Sequence, residues 1–183
     1  MPIAGEVAIR DATRDDAPAI QMLYAYNVET GFASYEYVAP DLDELCRRID
    51  ALIDAGYPYL IAEIDGAFAG YAYASSYRSR AGYRWTVENS VYVAPSYGSR
   101  GIGRQLMQTL IARCEALGYR QMIAVIGDGE NAASIALHRA LGFTHIGTFR
   151  GIGYKIVGDA PGRWLDSVQM QRTIGEGRQT LPK

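Results

Sequence analysis

The chain has 183 residues, of which 49% are hydrophobic and 21% are charged, and its formal net charge is −2 at pH 7. These values are typical of one globular domain with its own core, and they exclude a general electrostatic attraction to nucleic acid or anionic membranes. The sequence has no apolar run long enough to cross a membrane and no basic leader segment. We therefore expect a cytoplasmic protein with neither a nucleic-acid nor a membrane partner.

Cysteine and histidine are sparse, with two of each in the chain. Cys46 and Cys114 lie among apolar residues in helical patterns, which predicts buried thiols that form no disulfide. No cysteine and histidine cluster has the spacing of metal ligands, so we expect no metal site.

The first half of the chain alternates between helical and extended patterns. Asp65-Gly66 stands between two apolar runs and is a strong signal for a two-residue hairpin turn. Gly56 is the expected end of the second helix. The predicted elements are a strand over 7–9, a helix over 17–28, a helix from 41 to 56, and strands over 59–64 and 67–76.

Two loops of this half carry side chains that could serve a site. The loop after the first helix contains Phe32, Tyr35 and Tyr37. Three aromatic rings there could wall a pocket or cover the core, and we favour the pocket. The loop after the hairpin is basic, and its Arg78 and Arg80 could select a substrate carboxylate or could simply be solvated.

Residues 91–104 have the pattern of a strand, a glycine-containing turn and a helix. A β-branched run stops at Pro95, and Gly98, Gly101 and Gly103 follow. Glycines at the start of a helix let a ligand approach the backbone, and the free N–H groups there favour an anion. The stretch therefore predicts a site for a phosphate-bearing ligand, with an ordinary turn as the alternative.

The second half of the chain continues with helices and hairpins. Its predicted elements are strands over 85–93, 121–126, 143–149 and 164–172, helices over 102–117 and 131–141, and a frayed tail over 173–183. Because the strands do not alternate regularly with helices, we expect an α+β fold in one domain, residues 1–172, and not a doubly wound dinucleotide fold. The glycine turn also lacks the Lys-Ser/Thr pair of nucleoside triphosphatases.

The strand over 85–93 has two different faces. Period-two alternation gives one face Trp85, Val87, Asn89, Val91 and Val93, and the other Thr86, Glu88, Ser90 and Tyr92. A carboxylate just before an anion-binding turn is well placed to abstract a proton. The alternatives for Glu88 are a solvated face or an ion pair with Arg84.

The short helix after residue 130 carries three further candidates. Asn131 and Ser134 stand at its start, where Asn131 is also a suitable N-cap. His138 could exchange a proton near neutral pH, although a structural histidine is the more common role of a lone one.

Together these residues resemble the GNAT superfamily of acetyl-CoA-dependent N-acyltransferases. The superfamily turn reads Gln/Arg-x-x-Gly-x-Gly/Ala, which Gly101 and Gly103 match, whereas Gly98 replaces the leading Gln or Arg. Three motifs are similar to the phosphinothricin and methionine sulfone/sulfoximine acetyltransferase family. They are Trp-Thr-Val-Glu-Asn-Ser-Val-Tyr-Val at 85–93, the segment from Asn131 to Phe143, and Gly-Arg-Trp-Leu-Asp at 162–166.

The resemblance implies a GNAT-like mixed, mostly antiparallel sheet flanked by helices, with acetyl-CoA as co-substrate and no metal. The implied cofactor-binding residues are Ser99, Arg100, Gly101, Ile102, Gly103 and Arg104 for the pyrophosphate, Val91, Tyr92 and Val93 for the pantetheine arm, and Asn131 and Ser134 beside that arm. The implied catalytic residues are Glu88 as base, the Val93 amide on the thioester carbonyl, and His138 near the departing thiolate. The implied acceptor site contains Phe32, Tyr35, Arg78, Arg80 and Glu88.

The expected reaction is therefore direct acetyl transfer to the amine of a small amino-acid analogue such as phosphinothricin, methionine sulfoximine or methionine sulfone. The alternatives are another acceptor (a polyamine, an aminoglycoside or a protein N-terminus) or an inactive acyl-CoA-binding protein. Arg78 and Arg80 disfavour a cationic acceptor. The family resemblance also implies a homodimer.

Overall fold

The computed structural model describes residues 6–181, which form one domain. The strands are β1 (Val7–Asp11), β2 (Tyr59–Ile64), β3 (Ala67–Ser76), β4 (Thr86–Val93), β5 (Gln121–Gly127), β6 (Thr144–Lys155) and β7 (Arg163–Thr173). The α-helices are α1 (Ala17–Thr30), α2 (Leu42–Asp54), α3 (Ile102–Ala116) and α4 (Ala132–Ala140). The predicted order of helices and strands is confirmed.

The seven strands form one open sheet in the order β1-β2-β3-β4-β5-β7-β6. Neighbouring strands are antiparallel except β4 and β5, which run parallel. The α+β class with a mixed, mostly antiparallel sheet is therefore confirmed. The parallel pair is joined through α3, since a crossover connection is needed to bring two parallel strands side by side.

Helices cover both faces of the sheet. We call the face that α1 and α2 cover the front, and the face that α3 and α4 cover the rear. The alternation predicted for β4 is confirmed, because Val87 packs in the core with α3 at the rear and Tyr92 packs with the α1 and α2 cluster at the front. Each face therefore has its own apolar cluster, and β4 contributes to both.

Local signals set several element ends. Asp65 and Gly66 have φ angles of 50° and 78°, the left-handed values that a two-residue hairpin turn requires. The Asp41 carboxylate accepts a hydrogen bond of 2.8 Å from the Glu44 amide and so caps α2. Left-handed Gly56 then follows α2 as predicted.

Strand β6 is longer than predicted, because it continues to Lys155 instead of ending at Phe149. Its register against β7 shifts between Phe149 and Gly153, where the Gly151 amide donates to the Asp166 carboxylate. A bulge adds residues to one strand and breaks the period-two pattern, so alternation does not reveal the continuation.

The segment after β7 is packed on the domain and is not frayed as predicted. Thr173 is the last residue of β7, and Ile174 is only 1% exposed. The Arg120 guanidinium then donates to Glu176, to the Gly177 carbonyl and to a threonine hydroxyl beyond. Apolar burial and these hydrogen bonds hold the segment through residue 180.

The cysteine prediction is confirmed for Cys114, which is buried, whereas Cys46 is half-buried. Burial raises the pKa of the Cys114 thiol to about 12, so it is an unreactive thiol at neutral pH. No helix within residues 6–181 is long and apolar enough to cross a membrane. In the same residues no three histidine, cysteine, aspartate or glutamate side chains are grouped as metal ligands.

Candidate functional site

The parallel strands β4 and β5 separate partway along their length. Their pairing runs from Thr86 and Gln121 to Asn89 and Ala124 and then stops. A cleft of about 640 Å³ opens beyond this apex, lined by Ser90–Val93 of β4 and Ala124–Gly127 of β5. Because side chains alternate along each strand, the cleft is lined from both the front and the rear of the sheet.

The glycine turn and the start of α3 form one end of the rear side. Gly101 has a φ angle of 80° and precedes the first turn of α3, so its backbone adopts a conformation that disfavours larger residues. A Cβ on Gly103 would lie 3.4 Å from the Leu137 side chain, so a larger residue would narrow the cleft. The first N–H groups of a 15-residue helix therefore face a space that side chains leave open.

The start of α4 forms the other end of the rear side. The Asn131 side chain accepts a hydrogen bond of 3.1 Å from the Ser134 amide, so Asn131 is the N-cap as the sequence suggests. Both residues line the cleft, together with Leu137 and His138 one turn later.

His138 is 2% exposed and has an acceptor opposite each ring nitrogen. Its Nδ1 lies 2.8 Å from the Ser134 carbonyl, and its Nε2 lies 2.9 Å from the Asn89 side-chain oxygen. Burial lowers the pKa of His138, and the hydrogen bond to the Ser134 carbonyl opposes that effect. The doubly protonated ring would satisfy both acceptors, whereas the neutral ring can donate to only one.

Asn89 fixes the apex of the cleft. Its side-chain amide donates to the Ile123 carbonyl of β5 at 2.9 Å, which leaves its oxygen facing His138. The side chain is nearly buried, at 6% exposure. Asn89 therefore links β4 to β5 and to α4 at the last paired position. We did not predict this role, although an amide side chain on an otherwise apolar strand face could have indicated it.

Glu88 stands one residue before the apex, on the front face with Ser90 and Tyr92. It does not line the cleft itself but lies beside it, and burial raises the pKa of its carboxyl. The alternative ion pair is not formed, since the Arg84 guanidinium lies over the Trp85 ring at 5.0 Å. A partly buried carboxylate with a raised pKa is a better proton acceptor than an exposed one.

The loop after α1 lies against the front side of the cleft. Ala33 lines the cleft, whereas the Phe32 ring lies 4.1 Å from the Arg163 guanidinium and the Tyr35 hydroxyl donates to the Asp166 carbonyl. We did not predict Ala33 as a site residue, because no chemical feature of alanine marks it.

The basic loop before β4 is exposed and contributes no residue to the cleft lining. The Arg78 guanidinium lies over the rings of Tyr77 and Tyr83, and Arg80 extends from the same loop. Arg100 also stays outside the lining, with its guanidinium over the Tyr97 ring at 5.6 Å.

The structure thus brings most of the predicted rear-side residues together. Those that line the cleft are Val91, Tyr92, Val93, Ser99, Gly101, Ile102, Gly103, Arg104, Asn131, Ser134 and His138. This arrangement can hold an anion at the helix start, pair an extended ligand with the free edge of β4, and offer a carboxylate on the far side of the sheet. Phe32, Tyr35, Arg78 and Arg80 remain predictions for an acceptor site.

Similar proteins are known for this chain. The acetyltransferase (GNAT) family model matches residues 20–143. The chain is 49% identical to a phosphinothricin N-acetyltransferase from Alcaligenes faecalis, over 96% of this chain and 86% of that protein. It is 38% identical to an L-methionine sulfoximine/L-methionine sulfone acetyltransferase from Salmonella typhimurium, over 93% and 96% of the two chains. A GNAT superfamily phosphinothricin acetyltransferase from Sinorhizobium meliloti, solved in complex with AcCoA, superposes with a TM-score of 0.91 at 44% identity, covering 97% of this chain and 93% of that one.

Proposed function

Because this chain belongs to the acetyltransferase (GNAT) family, we propose that it transfers an acetyl group from acetyl-CoA directly to the amine of a small amino-acid analogue. Phosphinothricin, methionine sulfoximine and methionine sulfone are the proposed acceptors. The observation that carries the proposal is the cleft between β4 and β5, which has the start of α3 at its rear and the Glu88 carboxylate beside it at the front. The two substrates can therefore enter from opposite faces of the sheet.

The rear side fits acetyl-CoA. Backbone N–H groups from Ser99 to Arg104 would hold the pyrophosphate, so the side chain missing at Gly98 is not essential to this contact. The edge of β4 from Val91 to Val93 would pair with the pantetheine amides as an added strand would. Asn131 and Ser134 would flank the arm from α4.

Glu88 is the proposed base. An ammonium group cannot attack a thioester, so the acceptor must first lose a proton, and Glu88 would receive it. The free amine would then attack the thioester carbonyl, which forms the C–N bond and an oxyanion that the Val93 amide would stabilise. Collapse of the oxyanion would break the C–S bond, and the nitrogen would release its second proton to water. Val93 is the fifth residue after Glu88, about 16 Å further along the strand, so the proton would travel through water.

His138 is the proposed proton source for the departing thiolate. Its position in the cleft lining supports this role. The acceptors opposite its two ring nitrogens favour the protonated ring, whereas burial lowers the pKa of His138. The reaction needs no covalent enzyme intermediate, and Cys114 is buried with a raised pKa.

The front side would bind the acceptor. The loop that carries Phe32 and Tyr35 would wall the site, and Arg78 and Arg80 would bind the acceptor carboxylate. Both arginines are exposed and are long enough to reorient towards an anion.

A homodimer in the cytoplasm is part of the proposal. Large apolar side chains are exposed on β6, on β7 and just beyond β6, namely Ile146, Phe149, Ile152, Tyr154, Ile156 and Trp164. Strand β6 is also the free edge of the sheet, so a second copy could cover this surface. Sedimentation of the purified protein at one monomer mass would contradict the dimer.

Acetyl-CoA consumption in the presence of each amine tests the function. Thiol release should be seen with one or more of the three proposed acceptors and not with polyamines or aminoglycosides. Thiol release only with a different amine would show that the proposed class of acceptor is wrong. Tight CoA binding without turnover on a wide amine panel would indicate an acyl-CoA-binding protein instead.

A further inference from the structure

Residues 31–37, which we call the front loop, are seated on the sheet by two glycines. A Cβ on Gly153 would overlap the Tyr35 ring, and a Cβ on Gly127 would lie 2.9 Å from the Ala33 carbonyl oxygen. The ring and the backbone of the loop therefore occupy space that any other residue at these positions would fill. The seat spans β5 and β6, which β7 separates in the sheet.

A buried lysine lies beneath this loop. Lys155 is 0% exposed, the only charged side chain that is buried within residues 6–181, and its ammonium donates to the Ser34 carbonyl at 2.6 Å. Lys155 pairs with Arg163 of β7, and side chains of paired residues point to the same face of the sheet. Following the pairing from β7 to β5 and from β5 to β4 places Lys155 on the front face with Gly127 and Glu88. Burying an ammonium group is costly, so a position that keeps one is expected to serve a contact that an apolar residue cannot make.

The surrounding charges and hydrogen bonds also converge on the loop. Burial lowers the pKa of Lys155, and the Glu36 carboxylate opposes that effect while pairing with Arg48 at 2.7 Å. The Ser34 hydroxyl lies 3.2 Å from the Tyr24 hydroxyl, and the Tyr24 ring packs edge-on against Tyr92. Since Tyr92 lines the cleft, the position of the loop is linked to the cleft wall.

We propose that Lys155 is a positioning residue that fixes the front loop as a rigid wall of the acceptor site. Lys155 thereby sets the affinity for the acceptor amine without touching acetyl-CoA. This inference rests on the proposed function for its assignment of the front side to the acceptor. The ammonium acts through the Ser34 backbone, so its effect reaches the acceptor by way of Ala33 and Tyr35.

The test replaces the ammonium with an apolar group of similar length. Lys155→Met should raise the KM for the acceptor about tenfold or more, because it removes a hydrogen bond made by a charged donor. The KM for acetyl-CoA should change by less than about twofold, since the Lys155 ammonium bonds to the front loop on the sheet face opposite α3 and α4. Hydrogen exchange of the amides in residues 31–37 should accelerate, while the amides of α3 keep their wild-type protection.

A second variant displaces the loop without touching Lys155. Gly153→Ala should push the Tyr35 ring from its seat and reproduce both effects. Gly147→Ala is the matched control, because it lies on the same strand and its added Cβ would meet open space. Gly153→Ala also keeps the proposal testable if Lys155→Met does not fold.

Three results would overturn the proposal. They are unchanged exchange of the loop in Lys155→Met, faster loop exchange with an unchanged acceptor KM, and an equal rise in both KM values. If the wild-type protein acetylates none of the amines, the proposed function fails instead, and the exchange measurement still tests whether Lys155 holds the loop.

Discussion

The rear and front sides of the cleft are built from different kinds of contact. At the rear, residues 98–104 and 131–138 are two short segments whose own backbone and caps create the site. At the front, the loop at 31–37 is held by Lys155, Arg163 and Asp166, which are more than 100 residues away. A site made by local backbone geometry can be read from a motif, whereas a site made by distant side chains depends on the complete fold.

Loss of Glu88 should have the largest effect, because Glu88 is the proposed base of the chemical step. Glu88→Gln should lower kcat by about 10²-fold or more, with the KM for acetyl-CoA nearly unchanged. The wild-type rate should fall as the pH is lowered through the raised pKa of Glu88, and the variant should lose this dependence. Steady-state rates across the pH range measure both effects.

Stability distinguishes a catalytic from a structural role for Glu88. The folded state raises the pKa of Glu88, so ionisation at neutral pH opposes folding. The free energy of unfolding of Glu88→Gln should therefore be no lower than that of the wild type at pH 7. Asp54→Asn, at the exposed end of α2, is the control. A near-normal rate for Glu88→Gln would remove Glu88 as the base.

Substitution of Asn89 tests the apex of the cleft, where β4 and β5 separate and the front and rear sides meet. Asn89→Leu would leave the Ile123 carbonyl and one ring nitrogen of His138 without partners, at a cost of about 1–3 kcal/mol in the free energy of unfolding. The pKa of His138 should fall further, because an acceptor that favours the protonated ring is lost. Nitrogen NMR of the His138 ring can follow this titration. An unchanged His138 titration would contradict the role of Asn89.

Substitution of Gly101 should have the smallest effect on activity, and it tests only the rear side of the cleft. Gly101→Ala places a side chain on a residue with φ of 80°, which should cost about 1 kcal/mol of stability. Distortion of the turn should raise the KM for acetyl-CoA several-fold and leave the acceptor KM unaltered. Gly147→Ala again serves as the control. If Gly101→Ala changed the acceptor KM instead, the two sides would not be separable.

Sequence patterns predicted some parts of the molecule correctly and missed others. The element order, the two faces of β4 and the family resemblance are confirmed, because periodicity, glycine positions and caps act over a few residues. The full length of β6 was missed, since a bulge interrupts its alternation. The prediction of a frayed tail was wrong because the burial of Ile174 depends on a core assembled from distant elements.

By itself, the sequence determined the rear side of the cleft and the face of β4 that carries Glu88. The glycine turn, the Asn131 cap and the position of Glu88 follow from local backbone preferences and a period of two. Only the tertiary structure decided the front side, where Lys155 meets the Ser34 carbonyl and Tyr35 fits between glycines of two strands. The physical reason is range: backbone conformation is set by near neighbours, whereas burial of a charge and steric fit depend on which distant residues the fold brings together.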